Sequence, residues 1–578
     1  MLSSQSKYIS LHIAVLCCDN KYCSVLGDAV SDQDSDASDA GAVGDVVHLP
    51  RRVLRAEAEV ARTLDTFPPG TDDKEVSQGV SKQPARKKKK LRNWRHRVPN
   101  FTVGQPSHAG DEDRVTDAIE ERLSPLDCFQ RMFPKDLLEH ILEQTNLYGQ
   151  QRGQQLNITM EELLGFIGVM LMSGYRATHD KKHLWSNDDD VSSKWAKELM
   201  ARNRFLDILR NIHLADNTKL TTGQDPYFKV RPFFEKLNLA FKSVVLQNSL
   251  CVDESMVPYY GRHGTKQFIR GKPVRYGYKL WCLASSGGYL YHAEPYCGSS
   301  TDLPLTGMGQ GADVVTGLLA KCSVSSGTLY FDNLFISLEL LDELTRRGIG
   351  GCGTVRENRL RGIPFSEKRV FERKERGAME WMSDGENVVV RWNDNRMVTV
   401  ATNCISLEPS YSASRYVKKE GGRVQISMPA PFYMYNKNMG GVDLFDQSVA
   451  TYRSSIRSKK WWWPLFQWGV DAARTNAWLL SRGLKPARAS ESQLPFLREL
   501  TKVLIKGNTV PRPPAPYSGQ GQPPLQMRFD GLHHWPKELA SRYHRCKLCE
   551  RRTNMSCEKC EVPMHPQCMK LYHTRTAT

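Results

Sequence analysis

Three aspartates stand at the ends of segments that should form regular structure. Asp253 follows the apolar run Leu250-Cys251-Val252, Asp332 follows Leu329-Tyr330-Phe331, and Asp443 lies just behind Gly440-Gly441-Val442 at the start of a helix-forming stretch. An unpaired carboxylate buried behind such a run is expensive. Two strand ends and one helix start can meet at a single sheet edge, where three carboxylates repel one another unless divalent cations neutralise them. Hard oxygen ligands suit Mg²⁺ or Mn²⁺, and two such ions ~3.5–4 Å apart can activate water and stabilise a leaving 3′-oxygen in phosphodiester cleavage. The plainer reading makes Asp332 or Asn333 the cap of a helix carrying Leu334, Ile336, Leu338, Leu341 and Leu344. Spacing alone leaves both open.

A second group with chemistry sits near the C-terminus: Cys546-x₂-Cys549, Cys557-x₂-Cys560, His565-x₂-Cys568 and His573. They fall within about thirty residues, too few to bury a useful core without a staple. Paired CxxC spacing lets two thiolates hold one Zn²⁺ in tetrahedral geometry. The chain has 15 cysteines, an odd number, with a third of them in this cluster. That usage favours reduced thiols and a metal site over a disulfide framework.

The third feature is basic and aromatic. Arg453, Arg457, Lys459, Lys460 and Arg474 surround Trp461-Trp462-Trp463, with Asp471 the lone acid in that stretch. Consecutive helical residues point about 100° apart, so the three rings cannot all face a base stack and one or two belong to a core. The cations suit phosphate contacts, with salt-dependent binding.

The elements that must position these groups follow from pattern. A chain of 578 residues exceeds one hydrophobic core, and its net charge of +17 and pI near 9.2 point to a polyanion, nucleic acid ahead of a membrane surface. No run of roughly twenty apolar residues exists to span a bilayer. The apolar stretch 8–18 imitates a signal peptide, but the basic remainder argues for a nuclear protein. Residues 1–120 read as a disordered tail with an acidic patch (Asp28 to Asp45) and a basic one (Arg86 to Lys90, Arg92, Arg95, Arg97) suited to nuclear import or DNA contact. Residues 121–248 have helical periodicity; 249–356 alternate as strands with crossover helices; 357–430 look like a β-rich insertion. Helices resume across 431–452 and 453–508, a Pro-rich linker covers 509–543, and the Cys-rich module covers 544–578. The fold class is multidomain α+β.

The motifs Cys251-Val-Asp-Glu-Ser255, Tyr330-Phe-Asp-Asn-Leu-Phe335 and Asn438-Met-Gly-Gly-Val-Asp-Leu-Phe-Asp-Gln447, in that order and followed by Trp463-Pro464, resemble the piggyBac transposase family. The stretches Val230 to Asn238 and Gly271 to Lys279 and the Cys-rich tail resemble it too, so the likeness runs from about Pro125 to His573. It implies an RNase H-like core in which Asp253, Asp332 and Asp443 are the metal-holding catalytic triad and Asp446 a fourth nearby acid, with Asn333 then the candidate cap. It implies a flanking α-helical DNA-binding and dimerisation domain, hence a homodimer, with Trp463 beside the active site. It also implies cut-and-paste chemistry on double-stranded DNA: nicking at element ends, hairpin formation, and insertion at TTAA. The tail becomes a cross-brace zinc finger for element-end DNA, with histone or other chromatin partners as an alternative. Thr576 departs from the family pattern, which has a final Cys there; seven ligands remain where two sites need eight, so the second site recruits His544, holds a water or is half-built. A domesticated DNA-binding or chromatin protein without strand chemistry is the alternative function; a ubiquitin ligase or histone reader built on the finger is weaker, because it leaves the long patterned core unexplained.

Overall fold

Leu250-Cys251-Val252 and Leu329-Tyr330-Phe331 are apolar on both faces because they become neighbouring parallel strands covered on both sides, where no alternation with polar residues is called for. They belong to a sheet of β1 (Ser249–Pro258), β2 (Gln267–Phe268), β3 (Tyr276–Ser285), β4 (Leu290–Pro295), β5 (Thr328–Phe331), β6 (Gly350–Thr354), β7 (Met379–Ser383), β8 (Val388–Asn393) and β9 (Met397–Thr402). The strand order is β2-β3-β1-β5-β6-β9-β8-β7, with β4 beside β3. β1, β5 and β6 run parallel; on one side β3 is antiparallel to β1 and β4 to β3, and on the other β9, β8 and β7 alternate in direction, each antiparallel to its neighbour. The helices Gln310–Lys321 and Leu338–Arg346 precede β5 and β6, as parallel connections require.

The structure is a computed structural model that describes residues 92–103, 123–188, 190–221, 225–270, 272–360, 362–417, 420–484, 490–509, 523, 525–539 and 544–574. The signal-like stretch, the acidic patch, the Arg86 to Lys90 run and residues 510–522, 524 and 540–543 of the Pro-rich linker lie outside these residues. Among the described residues no helix is long and apolar enough to cross a membrane.

The helices before and after the sheet pack together. Pro125–Met132 lies against Trp463–Leu484, and Met160–Tyr175 against Gln493–Lys506. Their starts are set locally: Ser124 with Asp127, and Thr159 with Glu162, form capping boxes that satisfy the free N–H groups of the first turn.

Three boundaries differ from the sequence reading. Residues 92–103 fall within the expected disordered tail, yet Arg95 exchanges backbone hydrogen bonds with Ser383 of β7 (2.7 and 2.9 Å). Arg92 there pairs with Asp342 (2.7 Å) and Asp384, charge pairs that composition alone does not reveal. The β-rich insertion is not a separate layer, because β9 pairs with β6 and extends the same sheet; only β10 (Tyr411–Val417) and β11 (Gly422–Met428) form a hairpin apart. The C-terminal module begins before residue 544, since Pro536–Glu538 pairs with Met555–Cys557.

The outer side of β4 and one position of β7 are covered. On the outer side of β4, Asn238 accepts from the Ala293 N–H (2.9 Å) and donates to its carbonyl (3.0 Å), while Asn476 does the same for Leu290 (3.0 and 2.7 Å). Both asparagines are buried. Asn238→Ala orphans two buried backbone groups at ~1–3 kcal/mol each, so urea unfolding should register a loss of roughly 2–5 kcal/mol.

Candidate active site and metal centres

The β1–β5 ladder runs from Ser249↔Thr328 to Val252↔Phe331, so the next position in register sets Asp253 beside Asp332. Strand β5 stops there because Asp332 Oδ1 turns to accept the Leu334 N–H (2.7 Å). The turn behind it is gripped from outside. Arg356 Nε donates to Asn333 Oδ1 (2.8 Å), and Arg359 donates to the carbonyls of Asn333 (2.9 Å), Leu334 (3.2 Å) and Ile336. Asn333 is therefore not the helix cap; Ser337 is, accepting from Leu340 N–H at the start of Leu338–Arg346.

Asp443 and Asp446 ride on the helix Gly441–Thr451, three residues apart and so on one face. That helix lies against β1 and β3 at a distance only glycine allows: a Cβ on Gly441 would meet the Ser285 carbonyl at 2.1 Å and Cys251 Sγ at 2.6 Å. Cys251, Asp253 and Ser255 alternate onto one face of β1. Ser255 Oγ donates to Asp446 Oδ1 (2.6 Å), and Asp443 acts electrostatically on both Asp253 and Asp446. All four acids predicted from sequence thus gather around the middle of β1 and the end of β5; Asp253 is not at a strand end as expected, because β1 runs on through it to Pro258.

Charge and burial conflict here. Asp253 is 7% exposed. Burial, with Glu254 and Asp443 adding repulsion, pushes its carboxyl well above the usual range; burial also raises Asp332, and raises Asp446 to about 7. The cation that answers them is Lys272, 3.6 Å from Glu254 Oε1. Burial works against its ammonium, but Asp253, Glu254, Asp443 and Asp446 outweigh that and raise its pKa. Sequence reading passed over Lys272, Glu254 and Ser255, because nothing in local spacing ties a lysine in a loop to acids on three other elements. Glu254 Oε2 is buried without a hydrogen-bond partner, and the surrounding oxygens are hard carboxylate donors of the type that suits a divalent cation, though they are not drawn together as closely as the Cys and His groups of the C-terminal module.

The basic and aromatic cluster divides. Arg453, Arg457 and Lys459 are exposed. Lys460 is not available to a phosphate: its Nζ donates to the carbonyls of Leu209 (3.2 Å) and Ile212 (2.7 Å), and burial beside Lys229 and Arg152 pushes it down to about 7. Trp463 is buried, with Nε1 donating to the Ile456 carbonyl (2.7 Å) and its ring near Phe166 and Phe466, which corrects its assignment as a DNA contact. Arg474 is buried beside Asp471.

In the C-terminal module Cys546, Cys549, His565 and Cys568 form one group whose ligand atoms lie within 4.8 Å of one another. Cys557, Cys560 and His573 gather elsewhere, joined by His534 from the stretch expected to be linker. His544 is in neither group; it is exposed on a short strand opposite Thr553.

A family model described as Transposase IS4 matches residues 124–478. Human PiggyBac transposable element-derived protein 3 is 32% identical over 567 residues, covering 94% of each chain. Human PiggyBac transposable element-derived protein 2 is 31% identical over 543 residues, covering 91% of this chain and 88% of the relative. A solved structure titled as a piggyBac transposase synaptic complex with hairpin DNA superposes with a TM-score of 0.58 at 20% identity, covering 78% of this chain and 99% of that one. The fold is that of a transposase. The chain belongs to the piggyBac family of transposases and transposable element-derived proteins.

Because Asp446 is ordinarily ionised above 3.8 and holds its proton to about 7 when folded, its burial costs stability that accrues with rising pH between those values, at about 1.4 kcal/mol per unit. Asp446→Asn removes that cost. In EDTA the variant should melt above wild type at pH 8 and by a smaller margin at pH 5.5, read by differential scanning fluorimetry.

Proposed function

We propose that this chain is a metal-dependent DNA strand-cleaving and strand-transferring enzyme of the cut-and-paste type, with Asp253, Asp332 and Asp443 as its metal ligands and Asp446 as a fourth acid. The observation that carries this is the β1–β5 register, which sets two motif acids side by side under the helix bearing the other two. The order β4-β3-β1-β5-β6, with β3 antiparallel to the other four strands, supports an RNase H-like reading of the core.

When bound, Mg²⁺ or Mn²⁺ would supply an activated water and charge stabilisation at the leaving 3′-oxygen. The chain's own residues do the rest. Gly441 lets the acid-bearing helix reach the strand, Ser255 fixes the Asp446 carboxylate, and Arg356 with Arg359 holds the turn that aims Asp332. Lys272 offsets the crowded negative charge.

Double-stranded DNA is the proposed substrate, with element ends and TTAA targets as the family resemblance implies, and with action in the nucleus. Support for a DNA surface comes from residues 255–293, which contain no Asp or Glu. Between β1 and β3 they raise Arg262, Arg270 and Arg275, all exposed, beside Tyr260 (79% exposed) and Phe268 (56%), whose ring tilts against Tyr276 (4.8 Å between centroids). Cations interleaved with open aromatic faces grip a nucleic-acid backbone and its bases. This surface replaces Lys460 and Trp463 in the expected contact set, alongside Arg453, Arg457 and Lys459. Zinc in the C-terminal module would make it a DNA-binding finger. The relatives' names, which record descent from transposable elements, keep alive a DNA-binding protein without strand chemistry.

Mg²⁺-dependent excision of a TTAA-flanked donor carrying the chain's candidate element ends should occur with wild type and fall by at least ~100-fold in Asp332→Asn. Binding to those ends without cleavage by either protein would favour the second reading. The triple change of Arg262, Arg270 and Arg275 to Ala should flatten the slope of log affinity against log salt by about 0.9 for each phosphate no longer neutralised, read by fluorescence anisotropy.

A further inference from the structure

We infer that Trp461 and His263 form a joint that makes two basic stretches, Arg262 on one side and Arg453, Arg457 and Lys459 on the other, a single surface for duplex DNA. This rests on the DNA reading above and goes past it, from which cations meet phosphate to what fixes their spacing.

The three consecutive tryptophans divide. Trp462 and Trp463 are buried, whereas Trp461 is half-buried. Its ring stacks on the imidazole of His263, with centroids 4.1 Å apart and planes 22° from parallel. Both rings are held from behind. Tyr278 of β3, itself buried, donates from Oη to the Trp461 carbonyl (3.0 Å) and stands edge-on to Trp461 (6.3 Å) and to His263 (5.5 Å). Buried Tyr227 lies against the same two rings, at 6.4 and 6.1 Å. Rings at such separations attract beyond the apolar area they bury.

On the side of β1 the stack anchors a loop. Tyr260, Gly261, Arg262 and Gly264 are exposed, while His263 turns inward and Thr265 is buried. His263 Nδ1 lies 2.8 Å from Thr265 Oγ1, and the Lys266 N–H donates to the His263 carbonyl (3.1 Å), which closes the turn around the imidazole. A loop freed from that ring would have to be ordered by DNA as it binds, and that cost is subtracted from affinity.

On the other side Trp461 follows Lys459 by two residues and Arg457 by four. The stretch before it has fastenings of its own: Ile456 accepts from Trp463 Nε1 (2.7 Å), and Ser454 donates its N–H and hydroxyl to buried Asp471 (3.0 and 2.8 Å). At about 3.8 Å per residue the stack keeps the backbones of Arg262 and Lys459 within one turn of a duplex, ~34 Å. Cations so spaced meet phosphates of the same duplex and release its counterions together. An ion pair at the joint would compete with phosphate for these cations and weaken in salt; stacked rings do neither.

Anisotropy of a fluorescein-labelled duplex of about three helical turns, titrated with the full-length protein, tests the inference. Arg262→Ala and Arg457→Ala should each weaken binding by wild type and lower its salt slope. His263→Ala should weaken it roughly tenfold with the melting temperature close to that of wild type. In that background Arg262→Ala should add little, whereas Arg457→Ala should cost what it costs in wild type. His263→Phe keeps a ring to stack, and should restore both the affinity and the effect of Arg262→Ala. Wild-type affinity in His263→Ala, or a cost of Arg262→Ala unchanged by it, would overturn the joint, as would a loss that His263→Phe does not repair. Full affinity in the double variant Arg262→Ala, Arg457→Ala would overturn the DNA reading of both stretches instead.

Discussion

Four aspartates and Glu254 meet within the electrostatic reach of Lys272, with Asp253 buried, Asp332 and Asp446 half-buried and Asp443 exposed at the rim. Coulomb repulsion among them is strong because the medium around them screens weakly. Most of the nearby structure can be understood as a means of holding them in spite of it. The two strands that carry Asp253 and Asp332 are locked by a parallel ladder that cannot slip without turning apolar side chains outward. The helix that carries Asp443 and Asp446 is pressed on by a glycine contact and tied by Ser255. A site built this way stores a demand for positive charge, which is what a divalent cation and a phosphate-bearing substrate with its counterions would meet.

The positive charge of the chain is divided between two uses that the net value of +17 conceals. Some cations are interior fasteners: Arg359 collects carbonyls behind Asp332, Lys460 collects those ending the helix Arg202–Asn211, and Arg231 bridges Asp225 and Glu294. Others, such as Arg262, Arg270 and Arg275, stand free of described acids on the loop between β1 and β3. A phosphate competes poorly for the first kind, whose donors are already satisfied, and well for the second.

The acids were legible in the sequence because an apolar run that stops at a carboxylate leaves a mark, whether the strand ends there, as at Asp332, or runs on, as β1 does past Asp253. The alternation of β3 with β4, the crossover helices and the CxxC pairs were legible for similar local reasons. Lys272 and His534 were not, since each acts on residues far away in sequence and neither sits in a periodic pattern. Trp463 and Lys460 were misread because an aromatic and basic run has the same composition whether its rings face a base or a core. Ser337 took the capping role expected of Asn333 because the two arginines and the Asp332 turn occupy the residues before it.

The coverage of the sheet's two margins bears on how copies of this chain can meet. A bare strand edge is a template for another strand, and many proteins associate, or aggregate, by adding one there. Here Asn238 and Asn476 act as short imitation strands along β4, and Arg95 does the same for Ser383 on β7. Where these backbone groups are already paired, sheet-to-sheet continuation is closed off. At these positions association is left to side chains, which can encode which surface meets which, rather than to backbone pairing, which accepts almost any sequence.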